Sequence, residues 1–231
     1  MQASRFSAET MVLGAVCLSC TANRHGDSGK AVVVTDETPG LTPEESDSLW
    51  AAVRKAMTEA RQAVNEHGVT EVAMGRICEG LGSLAREPGL KNEYSMRKLH
   101  GGGATSVVLA SESDEGLTLR LSKFEPGKPT PIHDHGSWAV AYVVEGRDDY
   151  IHWQRSDDGS DPDHAKLQIQ YKRILHPGDC VHWLDPPHDI HSQQAIGEPT
   201  WELVLFGKNH GRTPRQYFDP ETGNITRRLP Q

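Results

Sequence analysis

A chain of 231 residues has room for one domain with a real hydrophobic core and a modest extra helical layer. Its formal charge of −8 and the absence of a Lys/Arg stripe exclude a phosphate-neutralising surface, so no nucleic-acid partner is expected. The apolar run from Met11 to Cys20 is too short to span a bilayer and follows Glu9, so no membrane association and a cytoplasmic location are expected.

Four cysteines, Cys17, Cys20, Cys78 and Cys180, are too few and too scattered for a disulfide framework. Cys17 and Cys20 form a C-x-x-C. Only His25 stands close enough to join them on a zinc ion, and the surrounding Ser, Thr, Asn and Gly read as a tail. Histidine is the outlier of the composition, because nine of the twelve lie between His133 and His210. That density is what a metal site with supporting polar groups produces.

In chain order, residues 1–41 show no period and read as a flexible segment holding at most one short element. Residues 42–99 form a helical lead-in. Thr42 is placed to cap a helix, with Pro43 at its first position and Glu44, Glu45 and Asp47 at the positive end of its dipole. Leu49, Val53, Met57, Ala60 and Val64 make one buried stripe, which Asn65–Gly68 ends. A second helix is expected from Thr70 to Ala85 with Val72, Ile77 and Leu81 inward.

Residues 100–231 change period. Strands are expected at 105–110, 117–124, 138–145, 149–154, 166–174, 180–184, 191–196 and 201–206, separated by turns such as Asp114-Glu115-Gly116, Pro126-Gly127 and Pro177-Gly178. Many short strands without intervening helices imply a mainly β, antiparallel double-sheet jelly roll. The polar tail from Lys208 to Gln231 is expected to wrap the outside.

Within this region His133 and His135 flank Asp134. Alternate residues of a strand share a face, so the two imidazoles aim into one cavity while Asp134 faces away. The glycines that flank this pair, Gly127 and Gly146, favour a metal site over two unrelated barrel-lining histidines. A second segment, from Pro177 to His191, offers three candidates for a further ligand: His182, His188 and His191.

These residues resemble the cupin superfamily, whose first motif is G-x5-H-x-H followed by a later Gly, and whose second is P-x-G-x-x-H. Gly127, His133, His135 and Gly146 fit the first; Pro186 and His191 fit the second, with His188 where Gly is usual. The resemblance implies a cupin double-stranded β-helix barrel and makes His191 the third ligand. His182 then borders the cavity, and His188 lies in the turn before the ligand, a candidate catalytic group behind it. Many cupins add a Glu ligand four or five residues after the second His, where this chain has Ala139 and Val140. A site of three neutral imidazoles favours an anionic, chelating substrate.

Within that superfamily, Thr130-Pro-Ile-His133-Asp-His135-Gly-Ser-Trp138 and Asp189-Ile-His191 resemble the T-P-x-H-D-H-x-x-W and D-I-H of the cysteine dioxygenase type I family, which includes bacterial mercaptopropionate dioxygenases. Tyr94-Ser-Met-Arg97 resembles that family's Tyr followed by an Arg that binds the substrate carboxylate, so Arg97 is a candidate catalytic and pocket residue. Roughly residues 90–207 are covered. The resemblance implies a mononuclear non-haem Fe(2+) dioxygenase that converts a small thiol and O2 to a sulfinic acid. The family's H-x-Y relay is replaced by Val204 and Phe206, and the cysteine that some members crosslink to the Tyr by Ala139. These changes make the pocket more apolar and point away from cysteine itself as substrate. Trp138, His182, Val204 and Phe206 join Arg97 as expected pocket residues. Two other readings keep the fold: Lewis-acid lyase or isomerase chemistry at the same histidines, and a noncatalytic metabolite-binding protein.

Overall fold

The computed structural model describes residues 33–34, 41–92, 104–112, 116–209 and 211–229. Helix α1, Pro43–His67, begins where expected: Thr42 and Glu45 form a reciprocal capping box, with Glu45 N–H donating to Thr42 Oγ1 (3.3 Å) and Thr42 N–H to Glu45 Oε2 (2.9 Å). It ends at Gly68, whose left-handed φ of 67° lets its N–H reach Val64 O. Leu49, Trp50, Val53, Ala56, Met57, Ala60 and Ala63 are its buried stripe. Helix α2, Glu71–Leu84, buries Ala73, Met74, Ile77, Leu81 and Leu84. Val72 corrects the expected face: it is 59% exposed, because a residue five before Ile77 lies about 140° round a helix of 3.6 residues per turn.

The remaining elements are strands: β1 (Val33–Val34), β2 (Ala104–Ser111), β3 (Thr118–Phe124), β4 (Ile132–His133), β5 (Ala139–Glu145), β6 (Asp148–Arg155), β7 (Leu167–Leu175), β8 (Cys180–Trp183), β9 (His191–Ala195), β10 (Thr200–Phe206), β11 (Arg215–Phe218) and β12 (Ile225–Arg228). They form two six-stranded sheets, ordered β1-β2-β3-β10-β5-β8 and β12-β11-β4-β9-β6-β7. Every recorded pairing is antiparallel. This is the mainly β, double-sheet architecture with N-terminal helices that the strand spacing implies.

The first sheet is covered on both faces. Its outer side chains, among them Val107, Leu109, Leu119, Leu121, Val140, Leu203 and Leu205, share one core with α1 and α2. Its inner side chains Ala139, Ala141, Val143, Val181, Trp183, Val204 and Phe206 pack with Tyr150 and Leu175 of the second sheet. Double coverage buries nearly every residue of β3 and β10 on both faces, polar side chains such as Thr118, Ser122 and Glu202 included. Cys78 of α2 and Cys180 of β8 are joined by a disulfide that ties the helical layer to the sheet, with Cα atoms 6.3 Å apart. Among the described residues it is the single such tie.

The C-terminal tail departs from expectation. Rather than wrapping the outside, it supplies β11 and β12 to the second sheet, with Tyr217 opposite His133 and Phe218 opposite Ile132. Each strand is four residues long and buries one apolar anchor, Phe218 or Ile225, too little alternation to stand out in a polar sequence.

Candidate metal centre

His133 closes β4 and His191 opens β9, and the two are directly paired across the ladder. His135 follows two residues after His133 and projects to the same side. The three rings lie 4.7, 4.7 and 4.9 Å apart between centroids. Their candidate ligand atoms all fall within 4.8 Å of one another, and all three residues are at most 6% exposed.

The hydrogen bonds behind the rings decide which nitrogens meet. His133 Nδ1 lies 2.8 Å from Pro131 O and His191 Nδ1 lies 3.3 Å from Asp189 O. A carbonyl only accepts, so each Nδ1 carries the proton and each Nε2 presents its lone pair. His135 Nε2 and His191 Nε2 approach to 3.4 Å. Burial, and then the positive charge of Arg215, push His133 down to about 3. Burial, with His133 beside it, holds His191 well below the ordinary histidine range. Neutral, tautomer-fixed imidazoles converging in a buried pocket fit a divalent metal ion.

The loop carrying His135 is held from below. Asp189 Oδ2 accepts the backbone N–H of His135 (2.9 Å) and of Gly136 (2.8 Å). Asp134 faces away from the histidines, as strand parity requires, and its Oδ1 accepts Gln216 N–H at 2.7 Å, locking β11 beside β4.

Aromatic rings wall the site. Trp183 lies 4.6 Å from His191 and stacks on His135 at 5.2 Å; Phe206 lies 4.9 Å from His135, Tyr150 5.5 Å from His191, and Tyr217 stacks on His133 at 5.9 Å. Val204 is buried in the same inner cluster as Phe206. No carboxylate belongs to the three-histidine group, and Ala139 and Val140, at the positions of the usual extra Glu, have no donor to offer.

Other expected pocket residues lie elsewhere. His182 is on the outer face of β8, since Val181 and Trp183 turn inward, and its Nε2 meets Glu71 Oε1 of α2 at 3.0 Å. Trp138 packs into the core shared with the helices, because Val140 and not Ala139 continues its side of the strand. His188 is solvent-exposed in the β8–β9 loop, and its charge bears on His152. Arg97, like Cys17 and Cys20, lies outside the described residues.

Sequence reasoning missed several residues that the fold brings to the interior. His152 sits opposite His191 in the ladder and stacks face to face on Tyr171 at 5.0 Å. Arg215 shares a strand face with Tyr217. Arg120 projects inward from β3, opposite Val204, and is 9% exposed. Nothing in the sequence marked Arg120: Leu117, Leu119 and Leu121 alternate with Thr118, Arg120 and Ser122, which reads as a strand with a solvent-facing polar side. Further from the histidines, Gln193 Nε2 donates to Asp148 Oδ2 (2.6 Å) and to Glu202 Oε2 (3.1 Å). Burial, and then the Asp148 charge, raise Glu202 well above the carboxylate range; burial raises Asp148 to about 6.

No protein-family model matches the chain, and no curated protein matches it. Solved structures do match. A cupin superfamily protein from Desulfitobacterium hafniense is 18% identical, over 49% of this chain and 84% of that one, with a TM-score of 0.34. An RmlC-like cupin from Shewanella frigidimarina is 23% identical, over 47% and 79%, at 0.33. The DMSP lyase DddQ from Ruegeria pomeroyi is 19% identical, over 55% of this chain and 59% of the lyase, at 0.38. At these identities the likeness is one of fold.

Proposed function

We propose that the protein is a mononuclear non-haem Fe(2+) dioxygenase that oxidises a small thiol to its sulfinic acid. The observation that carries this reading is the buried convergence of His133, His135 and His191 as neutral imidazoles, with no carboxylate among them. The resemblance of the two histidine segments to thiol dioxygenases supplies the reaction class. When bound, ferrous iron would supply open coordination positions and a path by which electrons pass from the thiolate sulfur to O2. The reaction takes one thiol and one O2 and places both oxygen atoms on sulfur, so no external reductant is consumed.

The chain's own residues do the rest. Three neutral ligands leave the metal's charge uncompensated and so draw an anionic, chelating substrate. Trp183, Phe206, Tyr150 and Val204 exclude water and confine that substrate. Phe206 beside His135 cannot donate a proton, which shifts preference from cysteine toward thiols that need no relay.

Anaerobic loading with Fe(2+), followed by an oxygen electrode and a panel of small thiols, tests the reading. Stoichiometric O2 uptake with sulfinate by mass spectrometry is expected. Anaerobic loading matters because the same ligands bind Cu(2+) or Zn(2+) more tightly. A second reading, Lewis-acid lyase or isomerase chemistry, is favoured by Val204 and Phe206 standing where a relay is expected; turnover without O2 uptake would select it.

A further inference from the structure

We propose that the Cys78–Cys180 pair is a thiol-exchange site, and that its opening by small thiols releases β8 and with it the Trp183 wall of the three-histidine pocket. The proposal goes beyond the function proposed above and does not rest on it.

Strand β8 ends its sheet, with β5 as its ladder neighbour. Its four residues divide by parity. Val181 and Trp183 point inward, where Trp183 lies against His135 and His191. Cys180 and His182 point outward to α2: Cys180 is bonded to Cys78, and His182 Nε2 meets Glu71 Oε1 at 3.0 Å. Glu71 and Cys78 stand seven residues apart on α2, which is about two helical turns, so both occupy the helix face that runs along β8. The strand that carries the pocket wall is thus fastened to the helical layer from behind.

The two fastenings differ in strength. The His182–Glu71 pair is open to solvent, Glu71 most of all, and contributes little. The disulfide is the stronger one. Helix α2 does not need it, because Ala73, Met74, Ile77, Leu81 and Leu84 hold that helix in the core shared with α1 and the first sheet. Breaking the bond therefore frees the strand rather than the helix. Trp183 adds a bias outward. Its Nε1 is buried with no hydrogen-bond partner among the described residues, and an orphaned donor favours states in which it reaches water.

Both cysteines are only partly buried, so a small thiolate has access to the bond. Its attack on one sulfur forms a mixed disulfide and expels the other cysteine; a second thiol then displaces the first. Two small thiols thereby give up two electrons and leave as one small-molecule disulfide, and the protein keeps two thiols. The reverse exchange with a small-molecule disulfide closes the pair again.

Hydrogen exchange read by mass spectrometry tests the release on the full-length, metal-free protein, at a temperature where circular dichroism shows both redox forms folded. On reduction with glutathione, the amides of Val181–Trp183 are expected to exchange at least about tenfold faster, a difference of about 1.4 kcal/mol in local opening. Those of α1 and β10 are expected to stay protected, and glutathione disulfide to restore β8. With Zn(2+) loaded, reduction is expected to speed metal withdrawal by a chelator by a similar factor. The double variant Cys78→Ser, Cys180→Ser should release Zn(2+) fast with or without glutathione, whereas Cys17→Ser, Cys20→Ser should respond as wild type does. Unchanged exchange in β8 on reduction overturns the proposal and needs no variant to fold. Exchange that rises equally along the whole chain overturns it too, since that marks an ordinary structural staple, as does an unaltered rate of Zn(2+) withdrawal or a response that disappears with Cys17 and Cys20. Failure to load Zn(2+) would instead strike the metal centre of the function proposed above and leave the hydrogen-exchange result to decide.

Discussion

Each of the three histidines is fixed by a contact made away from the point where their rings meet. Pro131 O holds His133, Asp189 O holds His191, and Asp189 Oδ2 holds the backbone at His135 and Gly136. Preorganisation of this kind means that losing one ring removes the site rather than loosening it. His133→Ala and His191→Ala are each expected to retain less than about a tenth of the wild-type metal on ligand-number grounds. His182→Ala and His188→Ala are expected to load fully, since one points at α2 and the other at solvent. Metal content by mass spectrometry, alongside circular dichroism to confirm folding, checks all four; full loading of His191→Ala would remove it from the ligand set.

At the scale of elements, the first sheet separates two roles by parity. Outer side chains anchor α1 and α2, and inner ones face the histidines. Trp138 and Phe206 are both buried aromatics, 6% and 4% exposed, yet they belong to different sides. Trp138→Ala is therefore expected to destabilise the fold by about 3–5 kcal/mol and to leave metal affinity unchanged once folded. Chemical denaturation and metal titration of that variant settle the matter, and weakened metal binding would return Trp138 to the pocket. Cys78–Cys180 spans 102 residues of sequence, so breaking it frees a long loop in the unfolded chain. The double variant Cys78→Ser, Cys180→Ser is expected to lose about 2–4 kcal/mol. Reductant should lower the wild-type midpoint equally and leave the variant's alone. A wild-type midpoint indifferent to reductant would contradict the tie.

For the whole molecule, the buried pair of Glu202 and Asp148 makes stability depend on pH. Both carboxyls hold protons more tightly folded than unfolded. Their contribution is thus fully present below the unfolded carboxylate range near pH 4 and is lost as pH rises through the folded values, about 6 for Asp148 and higher for Glu202. Stability should fall between pH 4 and 8 from this source. Glu202→Gln keeps the shape and still donates to Asp148, so it should flatten that slope and raise stability at pH 8 by on the order of 2 kcal/mol. Denaturation midpoints across the range give the answer; a variant with the wild-type slope would show the pair to be silent.

Much of this molecule was legible residue by residue because local rules governed it. Thr42, Pro43 and Glu45 announce α1; alternation places His133 and His135 together; Pro126-Gly127 follows the end of β3 and Pro177-Gly178 separates β7 from β8. All of these are contacts within a few residues, where period and capping act. The sequence could not say which face of β8 turns inward, so His182 was assigned to a cavity it does not touch. It could not see that a polar tail adds two strands, because their stability comes from pairing with β4 rather than from their own apolar content. Nor could it join Cys78 to Cys180. The strand periods and the histidine pair were set by chain-local chemistry; the third histidine's meeting with them and the aromatic walls were decided by the register in which distant strands pair.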